Sequence, residues 1–149
     1  FLYRSIREDI PDDYYTVEIG RASIVQQGED LTIVTYGTGV HWAKNYSENH
    51  ANHSIEIVDL RTLLPLDTEM IYASVRKTGK VVVLHEDCMT GGIGGEIVAL
   101  ISEHCFQDLD APVKRVASID TPVPFAADLE KQFLPVDRLD EAIASLLEF

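Results

Sequence analysis

Runs rich in β-branched residues alternate with segments of helical periodicity along most of this chain, and this alternation constrains its fold more than any other feature. The β-rich runs are 22–26, 31–36, 54–59, 81–84 and 113–117. Run 81–84 has no polar alternation, as expected for a central parallel strand covered on both faces. Strands that alternate with helices imply right-handed crossovers. The pattern predicts a three-layer α/β/α sandwich with about five strands in a mixed, mostly parallel sheet.

The first two β-rich runs have no helical segment between them. They are separated by Gly28-Glu29-Asp30, a short polar stretch with the glycine typical of a hairpin loop. We therefore predict that runs 22–26 and 31–36 pair as an antiparallel hairpin, which would add one antiparallel strand at an edge of the sheet.

Four segments have the spacing of amphipathic helices. The first spans about 40–51, the second begins at Asp67 as N-cap and ends at Gly79, and the third follows Gly95. The last begins after Pro135 with Asp137 as its cap, and its apolar stripe consists of Leu139, Ile143, Leu146 and Leu147. Residues 1–20 are polar and have no sustained period. We predict a connecting arm over 1–20 and a single domain over 21–149.

Charge excludes several classes of function. The 149 residues include 12 Lys and Arg against 25 Asp and Glu, a formal net charge of −13. The basic surface that neutralises nucleic-acid phosphates is therefore missing, and anionic membrane surfaces are disfavoured for the same reason. No apolar run approaches the length of a membrane span. Such a charge suits a basic protein partner.

Two glycine-containing loops follow predicted strands. A dinucleotide-binding fingerprint needs a third small residue three positions after its second glycine. After Gly37-Thr38-Gly39 that position is occupied by Trp42, so a plain strand-to-helix turn is favoured. The second loop leaves the predicted central strand at His85 and opens a helix, a position that suits an anion. Its carboxylates would repel phosphate, and it contains no Lys or Arg. A tight chain reversal at an interface is favoured over an anion site. Under either interpretation the residues concerned are His85, Glu86, Thr90, Gly91 and Gly92.

Other reactive side chains form no complete catalytic constellation. Cys88 beside His85 allows a thiol-nucleophile hypothesis, but residues so close on one strand end rarely provide the geometry. Cys88 and Cys105 are too few for a disulfide framework, and we expect reduced thiols. His50 and His53 lack the further ligands of a metal site. We therefore predict no catalytic, cofactor-binding or metal-binding residues in this chain.

Pro122 and Pro124 make a stiff loop at the same sheet edge as the second glycine loop. The two loops together predict a docking surface.

Several linked motifs resemble those of one enzyme family. They are Asp59-Leu60-Arg61-Thr62-Leu63-Leu64-Pro65-Leu66-Asp67, His85-Glu86-Asp87 with Thr90-Gly91-Gly92, Cys105-Phe106, Leu109-Asp110-Ala111-Pro112 and Asp120-Thr121-Pro122-Val123-Pro124. In order and spacing they are similar to the carboxy-terminal domain of the β subunit of thiamine-diphosphate-dependent 2-oxo acid dehydrogenases, which has the transketolase carboxy-terminal domain fold. The resemblance covers nearly the whole chain, including Leu2-Tyr3-Arg4.

The resemblance implies a parent enzyme that decarboxylates a 2-oxo acid on thiamine diphosphate with Mg and passes the acyl group to lipoamide. It implies that the cofactor is held by the α subunit and the amino-terminal half of β, so that this piece binds none and is inactive alone. The start at Phe1 rather than Met agrees with a piece of a longer chain. Asp120-Thr121-Pro122 resembles the branched-chain (2-oxoisovalerate) enzymes slightly more than the pyruvate enzymes. A pyruvate dehydrogenase β-subunit domain and a free-standing anion-binding regulatory α/β domain remain as alternatives.

The resemblance also implies partners. The β carboxy-terminal domains of the family lie near a two-fold axis and bind the basic subunit-binding domain of the dihydrolipoyl acyltransferase. The contacts match Asp110 and the terminal carboxylate of Phe149. We therefore expect as partners the α subunit or amino-terminal half, the acyltransferase and a second copy, but neither nucleic acid nor membrane. The expected location is the cytoplasm of a bacterium, or the mitochondrial matrix if the source is eukaryotic.

Overall fold

Five strands form one mixed sheet in the computed structural model, which describes residues 6, 7 and 9–149. The strands are β1 (Ser23–Gln26), β2 (Leu31–Thr35), β3 (Ile55–Asp59), β4 (Val81–Cys88) and β5 (Lys114–Ser118). Their order across the sheet is β1-β3-β2-β4-β5, with β2 to β5 parallel and β1 antiparallel to β3 at one edge. The predicted mixed, mostly parallel sheet is confirmed.

The predicted hairpin is wrong, because β3 lies between β1 and β2. The chain crosses the beginning of β3 instead of reversing beside it, and the backbone N–H groups of Glu29 and Asp30 donate to the Ser54 carbonyl at 2.9 and 2.8 Å. Gly28 is needed there because a Cβ would clash with the backbone of Ile55 and its neighbour. Burial agrees with the place of β1 at an edge of the sheet. All five residues of β2 are buried, as expected for an interior strand covered on both faces, whereas β1 is half-buried.

Two pairs of helices cover the two faces of the sheet. The helices are α1 (Thr38–Asn49), α2 (Thr68–Thr78), α3 (Gly94–Cys105), α4 (Ala127–Phe133) and α5 (Val136–Leu147), with one 3₁₀ turn at Phe106–Asp108. One core lies between the sheet and helices α1 and α5, and the other lies between the sheet and helices α2 and α3. This arrangement confirms the three-layer sandwich. The sequence patterns did not predict α4, which lies beyond the carboxyl end of β5.

Helix ends follow local chemistry in α2 but not in α5. The Asp67 carboxylate accepts a hydrogen bond from the Met70 N–H at 3.2 Å, and Gly79 ends the helix with a φ of 67°. Both predicted ends of α2 are confirmed. In α5 the N-cap position belongs to Pro135, and no side chain caps the helix. Asp137 lies inside the first turn, so its prediction as the cap was wrong.

The predicted arm is described only in part. Residues 6, 7 and 9–20 form no helix or strand, and the motif Leu2-Tyr3-Arg4 lies outside the described residues. Within the described part of the chain, every helix is too short or too polar to cross a membrane.

Candidate functional site

Two loops meet at the carboxyl edge of the sheet, beyond the ends of β4 and β5. We name residues 89–93 the glycine loop and residues 119–126 the proline loop. Thr90 joins them, because its N–H and its hydroxyl donate to the two carboxylate oxygens of Asp120 at 2.8 and 2.6 Å. These hydrogen bonds lower the pKa of the Asp120 carboxyl. The contact fixes both loops relative to the end of β5.

The end of β4 is held by its neighbour strand. The pairing of β4 with β5 shifts register between Leu84 and Cys88. Across this irregularity the Ser118 hydroxyl donates to the Glu86 carbonyl at 2.6 Å, and the Met89 N–H donates to the Ser118 carbonyl at 3.0 Å. The side chains of Glu86 and Asp87 are therefore left exposed at the edge.

His85 lies beneath the glycine loop and has no exposed surface. Within the described part of the chain, neither ring nitrogen has a partner with hydrogen-bonding geometry. The backbone of the loop packs directly on the ring, since a Cβ on Gly92 would lie 2.6 Å from Cε1 and one on Gly94 would overlap Nε2. Burial lowers the pKa of the imidazole, although Asp87 acts in the opposite direction. The ring therefore supports the loop by packing.

The thiol of Cys88 faces the proline loop rather than His85. Its Sγ lies 3.9 Å from the Thr121 carbonyl, and among the described residues no hydrogen bond joins it to the imidazole. Cys88 is half-buried and Cys105 is buried, and both are free thiols. The geometry does not support the thiol-nucleophile hypothesis, because the base is buried under the glycine loop while the thiol points elsewhere.

A pocket of about 360 Å³ opens beside the two loops. It is lined by Tyr36, Glu86, Asp87, Cys88, Val123, Glu130, Phe133 and Leu134. Burial, with the charges of Asp87 and Glu86, raises the pKa of the Tyr36 hydroxyl. The lining combines an apolar floor with three carboxylates, and the described residues around it include no Lys or Arg. Such a pocket disfavours an anion and suits a cation.

Asp110 and Phe149 lie at the opposite, amino edge of the sheet. The Asp110 N–H donates to the Gly79 carbonyl at 2.8 Å, and its exposed carboxylate lies against the same glycine. Arg138 ties the beginning of α5 to the end of β5 by donating to the Ala117 carbonyl at 2.8 Å. Ser145, near the end of α5, lines a groove with Lys114 at the beginning of β5, so the helix runs back along the sheet toward the amino edge. The Phe149 side chain, which follows it, is 68% exposed.

The remaining predicted features have structural roles. Gly37, at the start of α1, has a φ of 56°, and Trp42 packs against the core on the α1 and α5 face. The His50 ring contacts the Tyr46 carbonyl and the Asp140 carboxylate at 2.9 and 3.3 Å. In the ranges that the structure describes, no three His, Cys, Asp or Glu side chains are arranged to hold a metal ion.

Sequence patterns missed part of the edge and one ion pair. Tyr36, Glu130 and Phe133 line the pocket, and the last two lie on α4, which has too little apolar periodicity to be predicted. The buried Glu56 carboxylate on β3 pairs with the Lys77 ammonium on α2, a long-range contact that no local pattern indicates.

Comparisons with known proteins cover almost the whole chain. Residues 20–138 match the family model described as "Transketolase, C-terminal domain". The chain is 44% identical over 151 residues to the 2-oxoisovalerate dehydrogenase subunit beta of Bacillus subtilis, covering 99% of this chain and 46% of that protein. It is 42% identical to the pyruvate dehydrogenase E1 component subunit beta of Staphylococcus aureus, with the same coverage.

Two further similarities agree with these. Over 119 residues the chain is 47% identical to the 2-oxoisovalerate dehydrogenase subunit beta of Pseudomonas aeruginosa, covering 80% of this chain and 34% of that protein. A solved structure described as "Split gene transketolase, inactive beta4 tetramer" has a TM-score of 0.73 at 27% identity, covering 96% of this chain and 46% of that one. The chain spans about half the length or less of the curated relatives it matches.

Proposed function

The chain belongs to the transketolase C-terminal domain family, and from that premise we propose that it is the carboxy-terminal domain of the β subunit of a 2-oxo acid dehydrogenase. The parent enzyme would decarboxylate a 2-oxo acid on thiamine diphosphate and pass the acyl group to lipoamide. The single observation that carries the proposal is the 44% identity to a 2-oxoisovalerate dehydrogenase β subunit over 99% of the chain.

Thiamine diphosphate with Mg does not fit the pocket at the carboxyl edge. Glu86, Asp87 and Glu130 would repel the diphosphate, none of the described lining residues is basic, and the described carboxylates are not grouped to hold a metal ion. This supports the part of the proposal that places the cofactor in the α subunit and the amino-terminal half of β, with this domain serving assembly. It also disfavours the alternative of a free-standing anion-binding regulatory domain. That alternative predicts thermal stabilisation by phosphate or nucleotides, about 2.7 kcal/mol at a hundred times the Kd.

We assign the amino edge to docking of the acyltransferase. Asp110 and the carboxylate of Phe149 lie at this edge, and both residues are exposed. A net charge of −13 would steer a basic subunit-binding domain toward the chain and would make the association sensitive to salt. Desolvated contacts to the two carboxylates would then fix the register of the complex.

For the substrate we propose a 2-oxoisovalerate-type acid, with pyruvate as the alternative. The motif Asp120-Thr121-Pro122 supports this order, although relatives with both names match at 44% and 42% identity. A substrate screen on the full enzyme, with the α subunit and full-length β, tests it. Faster turnover of pyruvate than of 2-oxoisovalerate would reverse the assignment.

Calorimetric titration with the acyltransferase subunit-binding domain tests the docking role, at low and high salt. We expect Asp110→Ala to weaken binding by about 2 kcal/mol, about thirtyfold in Kd, and deletion of Phe149 to weaken it as well. Asp128→Ala removes an exposed carboxylate from the other edge and is the matched control, expected to bind as the unmodified chain does. Because the site could need two copies across the two-fold axis, the titration is repeated on the assembled enzyme. Unchanged affinity of the Asp110→Ala variant in both would contradict the docking role.

A further inference from the structure

Apolar side chains are exposed on the proline loop and on α4. Val123 is 65% exposed, Leu129 is 53% exposed, and the Phe125 side chain is fully exposed. They lie within seven positions of one another in the chain, at the carboxyl edge of the sheet. Neighbouring exposed apolar side chains of this size are typical of a surface that another protein covers.

This surface is held in place before any partner binds. The Thr90 contact to Asp120 fixes the beginning of the proline loop. At its other end the buried Phe133 anchors α4, and the Phe133 carbonyl accepts hydrogen bonds from the Ile119 N–H at 3.3 Å and from Arg138 at 3.0 Å. A surface fixed in this way loses little conformational entropy on binding.

Charge defines what the surface would bind. The pocket beside the apolar side chains contains the carboxylates of Glu86, Asp87 and Glu130 and the ring of Tyr36, with no Lys or Arg among the described lining residues. It is large enough for one basic side chain, whose aliphatic stem would pack on Val123 and the apolar floor while its charged end meets the carboxylates. The pattern of an apolar patch beside an acidic pocket fits a basic protein segment.

The arm points to the origin of that segment. A second pocket is lined by five residues of the arm, Asp9, Ile10, Pro11, Tyr15 and Val17, together with Gly37, Asp59 and Arg61. Asp59 is the last residue of β3, whereas Gly37 and Arg61 lie just after β2 and β3. The chain therefore reaches the domain across the carboxyl edge. Under the proposed function, the amino-terminal half of the β subunit is joined to this arm and lies next to the same edge.

We propose that the carboxyl edge is a permanent docking surface for the amino-terminal half of the β subunit. A Lys or Arg of that half enters the acidic pocket, and apolar side chains beside it cover Val123, Phe125 and Leu129. This proposal rests on the proposed function and adds the chemistry of a second interface. The apolar character of the patch suits a permanent contact, whereas the carboxylates at the amino edge suit reversible, salt-sensitive docking.

Hydrogen exchange tests this proposal by comparing the assembled enzyme, with full-length β and the α subunit, with the present chain alone. The chain alone is a usable reference because its own helices cover both faces of the sheet. We expect amides of residues 86–90 and 119–130 to exchange about tenfold or more slowly in the assembly. Zero-length carbodiimide coupling, which joins carboxylates to lysines in contact, would then identify any lysine that meets Glu86, Asp87 or Glu130.

Two charge reversals separate the acidic pocket from general effects of charge. Glu130→Lys alters the pocket, whereas Glu103→Lys alters another exposed carboxylate, on α3, and is the control. We expect the first to accelerate exchange of the proline loop in the assembly and the second to leave it unchanged. Phe125→Ser, at a fully exposed position, should likewise weaken protection without unfolding the chain.

The proposal is overturned if the edge exchanges equally fast in both samples, or if Glu130→Lys leaves its protection intact. Coupling of the pocket carboxylates to the α subunit or to added acyltransferase, instead of to the amino-terminal half, would also overturn it. Decarboxylation of 2-oxo acids by the same preparation reports on the proposed function separately. An active enzyme with an unprotected edge contradicts this inference alone, and an assembly inactive on every 2-oxo acid contradicts the proposed function.

Discussion

Two neighbouring glycines at the start of α3 have different surroundings. A Cβ at Gly94 would overlap the Nε2 atom of His85, whereas one at Gly95 would lie 3.6 Å from the nearest atom of Arg115. We expect Gly94→Ala to lower the free energy of unfolding by about 1–3 kcal/mol, because the buried ring and its loop must move. Gly95→Ala is the matched control. It should be neutral or stabilising by up to about 1 kcal/mol, because alanine is the better helix former. Urea unfolding measures both, and equal effects would contradict the packing role of His85.

The same buried ring makes stability depend on pH. Burial lowers the pKa of folded His85, with Asp87 opposing and Arg115 adding to this effect. As the pH falls below about 6.5, the unfolded chain binds a proton at this position before the folded chain does. The free energy of unfolding should therefore decrease toward acid, by at most about 1.4 kcal/mol per pH unit from this group. His85→Leu fills the same site without titrating. It should show a smaller decrease between pH 7.5 and 5.5 by urea unfolding, and identical slopes would refute this assignment.

At the scale of elements, Asp67 connects the beginning of α2 to the edge strand. Its carboxylate accepts hydrogen bonds from the Met70 N–H at 3.2 Å and from the Ala22 N–H at 2.9 Å, just before β1. We expect Asp67→Ala to destabilise the chain by about 1–2 kcal/mol, and Asp67→Asn to cost less. Asp137→Ala serves as the control, because Asp137 lies in the first turn of α5 and caps nothing. A loss in the Asp137 variant as large as that in Asp67→Ala would contradict the assignment of the caps.

Sequence patterns predicted elements whose signals are local. The caps of α2 and the apolar stripe of α5 could be predicted because residues three or four apart already meet on a helix. The pairing of β1 could not, because Gly28-Glu29-Asp30 fits a hairpin loop as well as a crossing over β3. What decides between them is the contact of this segment with the beginning of β3, where Glu29 and Asp30 donate to the Ser54 carbonyl, and no local pattern reports such a long-range contact. Helix α4 is short, and its exposed residues gave it little apolar periodicity.

At the scale of the whole molecule, the candidate site was predicted in pieces. The glycine and proline loops could be identified because each has its own backbone chemistry, and both follow strands that end at one edge. Their contact through Thr90 and Asp120, and the entry of Tyr36 into the pocket, depend on β2 and β5 lying on either side of β4. No local pattern specifies that order. His85 illustrates the same limit, since its motif suggests chemistry while its burial assigns it to packing.

The net charge of −13 leads to opposite effects of salt on folding and on docking. Repulsion among 25 acidic side chains destabilises the folded chain, so screening should raise the free energy of unfolding as the salt concentration increases from about 20 to about 500 mM. The same screening should weaken association with a basic subunit-binding domain. Urea unfolding and calorimetric titration over one salt series measure both effects, and matched sucrose solutions control for changes other than screening. If stability fell with salt, local pairs such as Lys77 with Glu56 and Arg76 with Asp108 would outweigh the repulsion. The net charge would then be a poor guide to the behaviour of the folded chain.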